Sequence, residues 1–282
     1  MPRTAMTERL HRILPLVGLS VLALVLVLPE LSSAQSSAAA TGDGDDASAY
    51  FGLRLSAGET FGNVFSKTVS HQGGGIDDDA HTIGGTERYE VVDPSPDRPS
   101  FRGSSRYDGR PGHVSLVEIR DTGQTTCSVT TGKCHAYLDD SGPVFDAFLW
   151  GKPSGKLAVG ESWTVKLAVP WELGPAGTEI VTVLRVDPAS HEVALKREGS
   201  GDGFFADEDK TLTLKKAGKD FTVDVVPGAA HWVGYTVFRE GLTVSDELLE
   251  TRSLTVSSDA FGQAVVSERQ FTLLDQSPAD LI

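Results

Sequence analysis

The sequence contains two cysteines, Cys127 and Cys134, which enclose the segment "SVTTGK". Thr and Gly at the centre of this segment predict a hairpin, and an even cysteine pair in an oxidising compartment usually forms a structural disulfide. A redox-active pair is the alternative, but such pairs are usually Cys-x-x-Cys at the start of a helix. His135 follows directly, yet two Cys and one His lack the fourth ligand of a structural zinc site. We therefore expect a disulfide that joins two strands.

A second group of reactive side chains lies in "HQGGGIDDDAH", where His71 and His81 flank Asp77, Asp78 and Asp79. Imidazole and carboxylate groups at this spacing could hold a divalent cation if the loop folded back on itself. The three glycines raise the entropic cost of ordering such a site. The segment is therefore interpreted as an acidic insertion at a hairpin tip, and no metal ligands are assigned.

The four tryptophans, Trp150, Trp163, Trp171 and Trp232, all follow Pro143. Large aromatic side chains commonly fill the core between β-sheet layers, which is the first interpretation. The second is an apolar cleft along a curved sheet, which would take a lipid, an aromatic molecule or a hydrophobic peptide. On that interpretation these four residues are the candidate ligand contacts.

Sequence motifs of catalysis are absent. The chain has no Gly-x-Ser-x-Gly elbow, no His-Glu-x-x-His, no P-loop and no dinucleotide-binding fingerprint. No catalytic residue and no cofactor are therefore predicted. Carboxylates that pair only in space leave no sequence signature, so a hydrolase remains an alternative.

Alternating apolar and polar residues dominate the rest of the chain. "SWTVKLAV" and "DFTVDVV" place every second apolar residue on one face, which is typical of half-buried antiparallel strands. "PGAA" after the second segment is interpreted as a turn. The segment "VSDELLETR" (244–252) is ambiguous, since it predicts either a short helix or a polar strand edge.

Two similar turn motifs recur along the chain. "LSAGETF" (55–61) precedes "GTERYEVVDP" (85–94), and "LAVGESW" (157–163) precedes "GTEIVTVLRVDP" (177–188). We predict an all-β fold of antiparallel sandwich or half-barrel units, with two related repeats at 49–152 and 153–282. A chance similarity of short turns and a single continuous β domain are the alternatives.

The "VGESW" turn, the following strand, "GTE" and the next strand resemble uncharacterised exported bacterial β-rich proteins, mainly over residues 155–200. The resemblance implies a β-rich fold. It implies no activity and no site residues.

The N-terminus predicts export. Arg3, Arg9 and Arg12 precede an apolar run from Ile13 to Leu28, and "SSAQ" supplies small residues for cleavage after Ala34. An uncleaved anchor is the alternative, although the run falls short of the roughly 20 residues that span a bilayer. Residues 1–34 are therefore a predicted signal peptide, and 35–48 a disordered acidic leader. The mature chain would have no transmembrane segment and would reach the periplasm or the medium.

The chain is acidic, with 39 Asp and Glu against 25 Lys and Arg and a formal net charge of −14. This charge disfavours nucleic acid and anionic lipid as partners. The expected function is an exported, non-catalytic binding or envelope-associated module whose partner is a hydrophobic small molecule or an envelope component. A hydrolase acting on an extracellular polymer and a surface module that pairs through a strand edge are the alternatives.

Overall fold

The computed structural model describes residues 46–95, 98–108, 110–120, 123–137, 142–151, 153–167, 177–201 and 211–278. The predicted signal peptide and Trp171 lie outside these ranges, as does the leader up to residue 45. Within them, the sheet contains 13 strands. The strands are β1 (Thr60–Gln72), β2 (Asp79–Asp93), β3 (Ser100–Tyr107), β4 (Arg110–Arg120), β5 (Gly123–Ser128), β6 (Cys134–Tyr137), β7 (Ser162–Leu167), β8 (Gly177–Asp187), β9 (Glu192–Gly201), β10 (Thr211–Lys216), β11 (Lys219–Arg239), β12 (Leu242–Ser258) and β13 (Gly262–Ser277). Two one-turn helices are α1 (Ser48–Phe51) and α2 (Ala147–Trp150).

All strands belong to one antiparallel sheet, in the order β6-β5-β4-β3-β2-β1-β13-β12-β11-β9-β8-β7, with β10 beside β11. The sheet thus consists of the meander β1–β6 and the strands β7–β13, in which β9 and β10 pair with different parts of β11, and the two halves are joined where β1 pairs with β13. The all-β antiparallel prediction is confirmed. The boundary predicted between two units falls in the connection from β6 to β7, and Asp43–Ile282 form one compact unit.

Strand β12 corrects the interpretation of residues 244–252. The segment is neither a helix nor a strand edge, because it lies in a central strand that pairs with β11 on one side and β13 on the other. Its even-numbered residues face inward, so that Asp246, Leu248 and Glu250 are all at most 2% exposed. Charged residues at buried strand positions weakened the alternation on which the strand prediction depended.

Strand β11 corrects the turn predicted at "PGAA". Residues 219–239 form one strand with a bulge, since Pro227 pairs with Leu254 and the next paired residue, Ala230, with Arg252. The bulge accommodates a proline that has no N–H to donate to the ladder. It also returns the apolar side chains to the same face, so that Val225 and Trp232 are both buried.

The inner face of the sheet carries three apolar clusters. The first joins β7, β8, β9 and β11 to α1 and α2, the second lies on β1–β4 against Val144, and the third lies at the ends of β10–β13. The segments 46–53, 142–151 and 153–157 pack on this face, since Tyr50, Trp150 and Leu157 belong to the first cluster and Leu53 packs against the second. Ala47, which the sequence placed in the leader, is 2% exposed.

The two similar turns form the same backbone hydrogen bonds. Gly58 N donates to Val91 O at 2.9 Å, Val91 N donates to Glu59 O at 2.9 Å, and both Gly58 (φ 84°) and its counterpart Gly160 (φ 87°) are left-handed. The counterpart bonds, at 2.8 and 2.9 Å, join Gly160, Glu161 and Val183. Duplication of the two whole units remains a prediction.

In the part of the chain that the structure describes, no helix has the length and apolar character needed to cross a membrane.

Candidate functional site

A pocket of about 420 Å³ opens on the inner side of the sheet, where the first two apolar clusters meet. Three groups of residues form it: the N-terminal segment, the β6–β7 connection, and isolated positions on neighbouring loops and strands. The lining residues are 46–48, 51–53, 99, 119, 144–147, 153–155 and 241. Its size is within the range of roughly 300–1,000 Å³ found for small-molecule sites.

The pocket walls are mainly apolar. Ile119 and Val144 are buried side chains of the second cluster, and Leu53 packs against them. The rings of Phe51 and Phe145 also line the pocket and stack with centroids 4.3 Å apart. The pocket can therefore bury an apolar body against aliphatic and aromatic surface.

Backbone hydrogen bonds fix the pocket-forming segments to each other. Ala47 N donates to Gly155 O at 2.8 Å, and Gly241 N donates to Tyr50 O at 2.9 Å. Phe145 N donates to Gly241 O at 2.8 Å. The turn between β11 and β12 thus holds both the N-terminal segment and the β6–β7 connection, which preforms the pocket.

Few of the described lining residues have polar side chains. Asp146 caps α2, since its Oδ1 accepts from Phe148 N at 2.8 Å, and it is 5% exposed. Asp46 lies at the rim, where its backbone forms a bridge with Lys156. Ser48 and Ser154 are the other described lining residues with polar side chains.

The tryptophans proposed as ligand contacts lie mainly in the core. Trp150 and Trp232 are both 4% exposed, and Trp163 is half-buried against the same cluster. Trp163 Nε1 donates to Trp150 O at 2.7 Å. This placement agrees with the core-packing interpretation. A ligand contact by these residues, or by Trp171 outside the described residues, remains a prediction.

Trp232 also takes part in a buried polar cluster on the inner face. Its indole lies over Gly199, where an added Cβ would approach the ring to 2.3 Å, and its Nε1 donates to Glu179 Oε2 at 2.9 Å. Burial raises the pKa of Glu179, while the positive charge of Arg197 and the Trp232 hydrogen bond oppose that rise.

Arg197 and Asp246 form an ion pair next to this carboxyl group, with Nη2 and Oδ2 3.2 Å apart and both side chains 1% exposed. Thr236 Oγ1 donates to the other oxygen of Asp246, and the Arg197 guanidinium lies 4.6 Å from the centre of the Trp150 ring. A buried pair needs such additional partners because both charges lose their hydration. The Arg197–Asp246 pair is therefore part of the hydrogen-bonded interior of the protein.

A second buried network joins β1, β12 and β13. Glu268 accepts from His71 Nε2 at 2.9 Å and from Arg252 Nε at 2.6 Å. Burial raises the pKa of Glu268, but the His71 hydrogen bond and the Arg252 charge outweigh it, so the net pKa lies below the usual glutamate value.

The acidic insertion is the tip of the β1–β2 hairpin. His71 contacts Glu268, whereas the Asp77 carboxylate accepts from Ala217 N at 3.0 Å and Gly218 N at 2.8 Å. His71 and Asp77 thus have different partners, the first in strand β13 and the second in the turn between β10 and β11. Among the described residues, no three His, Cys, Asp or Glu side chains are grouped so as to hold a metal.

The predicted disulfide between Cys127 and Cys134 is present, and these two residues are directly opposite each other in the β5–β6 hairpin.

Sequence analysis missed the pocket and the inward-facing charges. The pocket joins residues far apart in the chain, so no local spacing reports it. The charges did leave a signal in "VSDELLETR" and the residues after it. Asp246, Glu250 and Arg252 are at even-numbered positions, as are the apolar Leu248 and Leu254, so all five belong to the same face of a strand.

In comparisons with known proteins, no family model matches this chain, and no curated protein matches its sequence.

Proposed function

We propose that this protein is an exported module that binds a small apolar ligand without transforming it. The observation that carries the proposal is the preformed pocket of about 420 Å³ between two apolar clusters. Pockets of this size and lining can bury most of a small ligand.

Export is supported by two features. The first is the basic, then apolar N-terminus with small residues before Gln35. The second is the Cys127–Cys134 disulfide, since such bonds persist mainly in oxidising compartments.

The burial of the inner carboxylates favours binding over hydrolysis. Glu179 and Asp246 are two carboxyl groups of the inner face that interact electrostatically, but each is 1% exposed. Both are held by Trp232, Arg197 and Thr236. A polymer substrate would have to displace these partners to reach either group.

Binding can be tested with a neutral fluorescent probe, N-phenyl-1-naphthylamine, titrated with the exported protein. We expect saturable fluorescence enhancement with one probe per chain. Ser154→Trp adds an indole at the exposed rim of the pocket and should weaken probe binding by about tenfold or more.

Ser267→Trp is the matched control, because Ser267 is exposed and lies on the outer face of β13. It should bind the probe like the unsubstituted chain. Equal binding by both variants, or no saturable binding, would contradict the pocket as the site. Steady turnover of an extracellular polymer would contradict the absence of catalysis.

A further inference from the structure

Three arginine side chains lie together on the outer face of the sheet, opposite the side on which the pocket opens. Arg102 and Arg106 are on the same face of β3, and they alternate with the buried Phe101. Arg88 of β2 is directly opposite Ser104, the residue between them on that face. Cβ atoms of opposite residues in an antiparallel pair are about 5 Å apart, and those of diagonal neighbours about 7–8 Å. One anionic group can therefore contact more than one of these guanidinium groups.

These arginines are exposed, and in the described part of the chain none of them forms an ion pair. Glu90 is directly opposite Arg102 but does not pair with it, and Asp108 in the β3–β4 turn accepts from Gly84 N at 3.3 Å. Carboxylates are not scarce, because the chain has 39 acidic against 25 basic residues. Neighbouring like charges destabilise a sheet. Unpaired arginines grouped in an acidic chain therefore indicate a surface for the anionic groups of a partner.

Exposed aliphatic side chains flank the arginines on the same face. Leu116 and Val114 of β4 are directly opposite Arg102 and Ser104, and they are 38% and 42% exposed. Val64 of β1, on the far side of β2, is 45% exposed. Such a surface suits a partner that offers anionic and apolar groups together, as the interface of an anionic lipid bilayer does. An acidic polypeptide or a free phosphate would use the arginines but not the aliphatic groups.

The acidic net charge of the chain acts weakly at this surface. Net charge disfavours anionic lipid when the whole chain is treated as one charge. At physiological ionic strength, however, charges in water are screened over about 8 Å. Carboxylates farther than this from the three arginines therefore contribute little to the potential that a lipid head group meets there.

We propose that the outer face of β2–β4 around Arg88, Arg102 and Arg106 binds the surface of an anionic lipid membrane. The pocket opens on the inner side of the sheet, so this surface is separate from it. The inference goes beyond the proposed binding function and does not depend on it.

The test is sedimentation of the exported protein with vesicles of phosphatidylcholine alone or of a three-to-one mixture of phosphatidylcholine and phosphatidylglycerol. We expect binding to the mixed vesicles to weaken as salt is raised, and binding to phosphatidylcholine alone to be at least about tenfold weaker. The combined substitutions Arg88→Gln, Arg102→Gln and Arg106→Gln should weaken binding to the mixed vesicles by at least about tenfold, since each basic side chain near an anionic surface contributes about fivefold.

The matched control combines Lys166→Gln, Lys219→Gln and Arg269→Gln. It removes the same number of positive charges from exposed positions on other strands and should keep most of the binding. Leu116→Ser tests the aliphatic part of the surface. It should weaken binding to the mixed vesicles by about threefold or more and leave the salt dependence unchanged.

Equal losses in the two triple variants would show that net charge governs binding and would overturn the inference. It would also be overturned by equal binding to both kinds of vesicle, by no binding, or by binding to poly-L-glutamate as strong as to the mixed vesicles. The last result would assign the arginines to an acidic polypeptide. The pocket is tested separately, because the triple arginine variant should bind N-phenyl-1-naphthylamine in solution like the unsubstituted chain. A failure of vesicle binding therefore leaves the proposed function standing.

Discussion

Buried charged side chains on the inner face contact side chains that can carry the opposite charge. Arg197 is paired with Asp246, and Glu268 receives hydrogen bonds from both His71 and Arg252. An ion pair of this kind contributes little net stability when intact, but removing one member leaves an uncompensated buried charge. The free energy of unfolding should therefore be sensitive to single substitutions here.

The Glu268 network predicts a pH-dependent stability. Because the folded-state pKa of Glu268 is lowered, the unfolded chain binds more protons between the folded-state pKa and the unfolded value of about 4.3. This contribution to stability is present above the unfolded pKa and is lost as pH falls through the folded pKa. Glu268→Gln should lower the free energy of unfolding by about 3 kcal/mol at neutral pH, and by much less in acid.

Urea denaturation of the unsubstituted chain and Glu268→Gln, from neutral pH into the acid range, measures this difference. Glu247→Gln, exposed on the outer face of β12, controls for the loss of any carboxylate. The difference in the free energy of unfolding between the unsubstituted chain and Glu268→Gln could instead stay constant across the pH range. That result would show that His71 and Arg252 do not stabilise the ionised form of Glu268.

Among the strands, predictability from sequence depended on whether polar residues faced outward. In β7, Val165 and Leu167 are buried and Lys166 is exposed, so the alternation predicted both the strand and its inner face. In β12, Asp246 and Glu250 occupy inward positions, and the same alternation failed. Asp246 is paired with Arg197 on β9, and Arg252 of the same strand with Glu268 on β13, contacts that sequence spacing cannot show.

The candidate site was beyond prediction for a related reason. Leu53, Ile119 and Phe145 come together only because β1–β4 and the β6–β7 connection meet on one face of the sheet. The tryptophans, for which core packing was the first interpretation and a ligand cleft the second, include two that are buried in the neighbouring core.

The two Gly-Glu turns should respond equally to substitution of their glycines. Gly58 and Gly160 have φ of 84° and 87°, and an added Cβ would meet nothing within 4 Å at either position. Gly58→Ala and Gly160→Ala should therefore each lower the free energy of unfolding by about 1–2 kcal/mol, because alanine disfavours this backbone conformation. Equilibrium unfolding in urea measures both. Costs that differed by more than about 1 kcal/mol would show that the two turns are not energetically equivalent.

At the scale of the whole molecule, the sheet bends so that hairpins from distant strands touch. The tip of β1–β2 reaches the β10–β11 hairpin, where Asp77 N donates to Lys215 O near the end of β10 at 2.8 Å. Ile76 at this tip packs against the third apolar cluster. Strands β12 and β13 lie between these hairpins in the sheet, so the contact closes the curved sheet over that cluster.

Asp77 is the side chain that fastens this closure, because its two oxygens accept from Ala217 N and Gly218 N. Asp77→Ala should lower the free energy of unfolding by about 1–2 kcal/mol. Amide hydrogen exchange should accelerate most at 217–218 and at 73–77, since the two hairpins would separate locally before global unfolding.

Asp78→Ala, at the exposed neighbouring position, is the matched control and should leave exchange at 217–218 unchanged. Uniform acceleration in both variants would mean that the hairpins are held by apolar packing around Ile76 instead, and the curvature of the sheet would then depend on its core rather than on this polar contact.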